Sequence, residues 1–101
     1  MTGTVILENI EFSTVTLPTA NSVILLLQGK KANLGCGYFS MAAAEKMGDR
    51  FAIVRGVKNI DEVLAAPVAD CSPAAAACGV KAGITGREAL LLMEKAEDLQ
   101  Q

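Results

Sequence analysis

Cys36 stands between two glycines in the run Gly35-Cys36-Gly37-Tyr38, and it is the side chain of this 101-residue protein best suited to covalent chemistry. Flanking glycines leave a sulfur and the backbone beside it open to close approach by another group. A thiol works as a nucleophile when held as the thiolate, which nearby cations favour, and Lys30 and Lys31 precede it in the chain. The competing reading of the same residues is a pair of strand irregularities around a small buried apolar side chain. A second set, Arg55, Lys58, Thr85, Gly86 and Arg87, falls at the ends of expected elements. Thr85-Gly86 opens a helix, where unpaired N–H groups and the helix dipole favour anions. If Cys36, Arg55 and Arg87 gather, they make a small-molecule or anion-binding enzyme site for a carboxylate or phosphate, with Cys36 as the catalytic candidate. The plainer account is a capping box of Thr85 and Glu88 beside a solvated arginine. Gly83-Ile84-Thr85-Gly86-Arg87 is not a phosphate-binding Walker loop, because its spacing is too short and the Lys-Ser/Thr pair is missing. Cys71 follows Asp70, whose charge opposes a thiolate, and Cys78 among alanines reads as packing.

Composition removes several classes of function. There is no histidine, so Ser-His-Asp and Cys-His arrangements within the chain are excluded, along with the commonest metal ligand. Neither a metal site nor a cofactor is expected. Net charge is −2 and the nine basic residues are scattered, which leaves no stripe to neutralise phosphates. Aromatic residues make up only 4%, too few for stacking platforms, so nucleic acid is not an expected partner. The longest run of large apolar residues, Val23 to Leu27, is far shorter than the roughly 20 that cross a bilayer. The N-terminus has no basic region and meets Glu8 early, so neither a membrane span nor a secretion signal is expected. Three cysteines cannot all pair internally, and reduced thiols point to the cytoplasm.

The elements that must position these residues fall into two parts. Thr4 to Ile10, Phe12 to Leu17, Val23 to Leu27 and Ala32 to Tyr38 are rich in β-formers and predict antiparallel hairpins over residues 1–38. Val23-Ile24-Leu25-Leu26-Leu27 does not alternate, which predicts a strand covered on both faces. Residues 39–101 predict a small α/β part with three to four short helices. Ser40, Asn59, Ser72 and Thr85 are the expected N-caps, and Gly48, Pro67 and Gly79 the stops. Short strands are expected at Phe51 to Val54 and Val68 to Cys71, with a charged tail from Lys95. The fold class is α+β, in one domain.

With these blocks in view, Gly29 to Met93 resembles the YunC-like family of small bacterial and archaeal proteins, catalogued as a domain of unknown function. The likeness lies in Gly35-Cys36-Gly37-Tyr38, in Ala52-Ile53-Val54-Arg55-Gly56-Val57-Lys58 and in Ile60-Asp61-Glu62-Val63-Leu64. It continues from Gly79 to Leu90, with one conservative departure at Ala82-Gly83-Ile84. The resemblance implies an N-terminal β region that serves tetramerisation and a small α/β part, and it implies no reaction. Composition points the same way. A chain that is 51% hydrophobic and only 10.5 kDa carries more apolar surface than one private core hides easily. The expectation is a cytoplasmic homo-oligomer of unknown activity, a homotetramer or else a dimer, assembled through the hairpins of residues 1–38.

Overall fold

Glu8 and Asn9 take positive φ angles of 50° and 67°, and the chain reverses there. Two successive residues in that region make the type I′ turn whose twist suits a hairpin. They join β1 (Thr2–Leu7) to β2 (Ile10–Pro18), with Leu7 opposite Ile10. The first strand therefore starts earlier than its sequence predicts and stops at Leu7 rather than at Ile10. The computed structural model describes residues 1–97, and the tail expected from Lys95 passes beyond them after Glu97. After the first hairpin come β3 (Val23–Gln28) and β4 (Ala32–Gly35), then α1 (Met41–Met47) and β5 (Arg50–Val54). The chain continues through α2 (Ile60–Ala65), β6 (Val68–Cys71), α3 (Pro73–Ala76) and α4 (Gly86–Lys95). β4 ends at Gly35, short of the predicted Tyr38, because the Phe39 N–H turns back to the Cys36 carbonyl.

The strands form one six-stranded sheet in the order of the chain. Every neighbouring pair is antiparallel except β4 and β5, which run parallel across the α1 connection. This is an α+β fold with hairpin-like N-terminal strands.

Register assigns the faces, because directly opposed residues share a side of the sheet. One face carries Leu7, Phe12, Leu25, Leu27, Leu34, Ala52 and Val54, all buried. α2 and α4 pack against this face, and Val63, Leu90 and Met93 close the core above it. Gly86 is where the two helices meet most closely. A Cβ there would sit 2.2 Å from the Val63 carbonyl oxygen and 2.9 Å from Leu34 Cδ2. The opposite face at β5 is covered by α1 and α3, under which Ile53 is only 2% exposed.

Over β1 to β3 that opposite face carries Ile6, Val15, Leu17, Ile24 and Leu26, none of which belongs to the core cluster. Val15 opposes Leu26 and Leu17 opposes Ile24, so four apolar side chains form a block of two cross-strand pairs. Ile6 and Leu17 are 67% and 52% exposed. The expectation that β3 is covered on both faces is corrected. Leu25 and Leu27 lie under the helices, whereas Ile24 and Leu26 lie outside the core on the other side.

Side-chain caps tie the helical half together. Asn59 accepts from the Glu62 N–H, Ser72 from the Ala75 N–H, and Thr85 and Glu88 complete the capping box. Ser40 stands at the start of α1, but its side chain makes no cap hydrogen bond. Gly48 ends that helix in the left-handed conformation, as its position predicts. The Glu94 carboxylate accepts the N–H groups of Lys30, Lys31 and Ala32, which fastens the β3–β4 turn to α4. Arg50 donates to the carbonyls of Met93, Ala96 and Glu97 at the same, C-terminal end of that helix.

Candidate functional site

Parallel pairing brings the carboxyl ends of β4 and β5 side by side. Ala32 faces Arg50 and Gly35 faces Ile53, so the same offset carried two residues onward sets Gly37 beside Arg55. Contact distances agree, since a Cβ on Gly37 would lie 3.2 Å from Arg55 Nη1. In open sheets the ends of parallel strands are where loops diverge and leave a crevice for ligands. Here β3 begins where β4 and β5 end, and its first residues supply the third wall.

A cavity of about 320 Å³ occupies this place. Cys36, Gly37 and Tyr38 line it from the turn after β4, Gly56 and Val57 from the loop after β5, and Ser22 and Val23 from the start of β3. No aspartate or glutamate is among these residues. Cys36 is 4% exposed, and its Sγ accepts the Leu25 N–H at 3.3 Å. The Cys36 carbonyl, which a continuing strand would offer to Leu25, instead accepts from Phe39 at 3.2 Å, and sulfur takes its place. Gly56 holds a φ of 73°, a left-handed conformation suited to glycine, and leaves open space where a Cβ would stand. The Tyr38 hydroxyl shares a hydrogen bond of 3.2 Å with Thr19 Oγ1 at the rim. Arg55 is exposed and has no hydrogen-bonding or ion-pair partner among the described residues.

The other candidates lie elsewhere. Arg87 stands close enough to Glu8 that its charge, after the hydrogen bond and charge of Lys95, helps hold that carboxyl below its usual pKa. Most of the donors at the start of α4 are taken. Thr85 N–H goes to Glu88, Gly86 N–H to the Ala66 carbonyl, Glu88 N–H to Thr85 Oγ1, and Ala89 N–H to the Thr85 carbonyl. Gly86 is a close-packing glycine against Val63 and Leu34, so Thr85 and Gly86 have structural reasons for their identity. Lys58 follows the cavity loop and gives its N–H to the Glu62 carboxylate at 2.7 Å. Lys30 and Lys31 sit at the far end of β4 from Cys36, about 16 Å along an extended strand, bound to Glu94. Of the three residues expected to gather, Cys36 lines the cavity, Arg55 lies exposed against Gly37 without lining it, and Arg87 stands elsewhere, beside Glu8.

Cys71 and Cys78 offer less. Burial pushes the Cys71 thiol pKa up and the Asp70 charge adds to the rise, which disfavours a thiolate. Cys78 packs at the edge of the core and bonds the Ala74 carbonyl. It also lines a second hollow of about 480 Å³ together with Glu88, Leu91, Leu92 and Lys95 of α4. Tyr38, Ser22 and Val23 had no assigned role from sequence. The signal for Val23 is the β3–β4 pairing itself, which runs the start of β3 past the end of β4.

Comparison with known proteins bears on this region directly. Residues 35–93 match the family model for a domain of unknown function, DUF1805, which begins at Gly35 and so takes in the Cys36 turn and the Arg55 loop. The uncharacterized protein YunC of Bacillus subtilis (strain 168) is 32% identical over 95 residues, covering 90% of this chain and 94% of the relative. A crystal structure of TA1206, a protein of unknown function from Thermoplasma acidophilum, superposes with a TM-score of 0.88 at 26% identity. That match covers 92% of this chain and 91% of the other.

Proposed function

This chain belongs to the DUF1805 family, and from that premise we propose that it works as a cytoplasmic homo-oligomer, a tetramer or a dimer, joined through the bare face of its hairpins. The observation that carries the proposal is the block of Val15, Leu17, Ile24 and Leu26, paired across β2 and β3 outside the core cluster, with Leu17 exposed and the other three half-buried. Large apolar side chains grouped on one surface mark contact sites, whereas single ones do not. The edge beside the block is unguarded too. β1 reads Thr-Gly-Thr-Val-Ile-Leu, with no charge or proline to discourage pairing. Three free cysteines suit a reducing compartment. Light scattering on the purified protein over a dilution series tests the proposal. The expected mass is a multiple of 10.5 kDa. A mass of one chain throughout the micromolar range overturns it.

A further inference from the structure

We propose that the free edge of β1 pairs with β1 of a second copy of this chain, antiparallel and about a two-fold axis at Thr4. The pairing rests on the self-association argued from the bare face, and it gives that assembly a second interface. The two edges of the sheet differ. β6 uses its edge within the chain: the Val68 N–H goes to the Ile84 carbonyl, the Val68 carbonyl accepts from Gly83, and the Cys71 N–H goes to Asp70 Oδ1. That strand is four residues long, follows Pro67 and carries the charge of Asp70, all of which discourage pairing with another chain. β1 has none of these guards. It runs six residues without charge or proline, in unbroken register with β2.

Hydrogen-bond parity identifies the free groups. The Met1 nitrogen donates to the Thr16 carbonyl and the Met1 carbonyl accepts from the Thr16 N–H, each at 2.8 Å. Bonded and unbonded pairs alternate along an antiparallel ladder, so Gly3, Val5 and Leu7 bond β2, and the N–H and C=O of Thr2, Thr4 and Ile6 point outward. No described strand flanks them on that side, because β1 is the first strand of the sheet. An axis at Thr4 sets Thr4 against the partner's Thr4, Thr2 against the partner's Ile6 and Ile6 against the partner's Thr2. A register two residues to either side leaves Ile6 without a partner or pairs Thr2 with Glu8, whose φ of 50° is not that of a strand.

Side chains favour the same register. Opposed residues share a face, so the partner's Ile6 joins the row of Thr2, Val15 and Leu26 on the bare face. Within its own chain Ile6 lies opposite Glu11 and is 67% exposed, apart from the apolar block. The contact is self-complementary, as a two-fold interface between identical chains must be. Backbone bonds exchanged with water add little net strength, so the edge fixes register while the bare face supplies burial. Two edge-paired sheets stacked by their bare faces make four chains.

Copper-catalysed air oxidation, in which two thiols lose two electrons and two protons to oxygen, reads the register directly. In a bonded pair the Cα atoms lie about 5.5 Å apart, within reach of a disulfide. Thr4→Cys is expected to give a covalent pair of chains on a denaturing gel, well above the level from the parent's own three cysteines. Thr2→Cys alone should stay at the parent's level, because its two copies lie about 14 Å apart, four residues along the strand. Co-expressing Thr2→Cys with Ile6→Cys should restore the covalent pair. A proline removes the outward N–H of Thr4 and spares the β1–β2 ladder. Thr4→Pro should therefore halve the mass seen by light scattering, with the circular dichroism spectrum unchanged. A parent that is a single chain overturns the assembly and the edge pairing together. A parent that associates overturns the edge pairing alone if Thr4→Cys stays at the parent's level, if Thr2→Cys cross-links by itself as well as with Ile6→Cys, or if Thr4→Pro keeps the parent's mass.

Discussion

The two ends of the sheet solve the same problem differently. Around β4 to β6 the apolar residues face helices, and α2, α3 and α4 are held by named polar contacts: Asn59, Ser72, the Thr85–Glu88 box, Glu94 and Arg50. Around β1 to β3 the strands are held mainly by their own ladders, and one face of apolar pairs remains outside the core. Both halves share one sheet, so the difference is not one of strand quality. The helical half is finished within the chain, whereas the hairpin half has apolar surface suited to another molecule. The cavity lined by Cys36 lies on the border, walled by β3 on one side and by the loops after β4 and β5 on the other.

That contrast can be broken by mutation. Gly86→Ala is expected to be the most damaging single change, because its Cβ would meet the Val63 carbonyl at 2.2 Å, and backbone cannot yield cheaply. A loss of about 3 kcal/mol in urea unfolding is expected, the upper end for overpacking. Ser72→Ala comes next. The Ser72 hydroxyl is fully buried, donates to the Asp49 carbonyl, and accepts from the N–H groups of Phe51 and Ala75. Removing it should cost about 2 kcal/mol, as a lost cap plus an unpaired buried donor. Stability losses of that size from single changes on the outer face of β2 would erase the distinction between the halves.

Glu94→Gln sharpens it on a smaller scale, with an expected loss of about 1 kcal/mol at neutral pH. Burial pushes the Glu94 carboxyl up, but the N–H groups of Lys31, Lys30 and Ala32 and the Lys31 charge outweigh it, so its pKa lies below the ordinary 4.5. A lowered carboxyl stabilises the fold fully above the unfolded value, about 4.3, and the contribution fades as pH falls through the folded one. Acid unfolding followed by circular dichroism should therefore be shallower below that pH in Glu94→Gln than in the parent.

Much of the helical half was legible because its signals are local. Asn59, Ser72-Pro73 and Thr85 with Glu88 are contacts between residues three apart, and each forms as the spacing predicts. Ser40 has the same signature and makes no cap bond, since a capping residue type does not by itself fix its rotamer. The first turn was not legible. Asn tolerates a left-handed conformation but Glu rarely does, so Glu8-Asn9 reads as strand until the register of β1 on β2 is seen. The approach of Arg55 to Gly37 depends on the parallel pairing of β4 and β5, which a stretch of five strand residues does not announce. Arg87 is separated from them because the buried contact of Gly86 with Val63 fixes where α4 begins.

The hairpin face is the central claim, and the double variant Leu17→Glu/Ile24→Glu tests it most directly. These two residues oppose each other on the bare face and contribute nothing to the core. Light scattering at equal concentration should give the parent protein a multiple of 10.5 kDa and the variant 10.5 kDa, with the circular dichroism spectrum unchanged. A variant that keeps the parent's mass, or a parent that is already a single chain, contradicts the account.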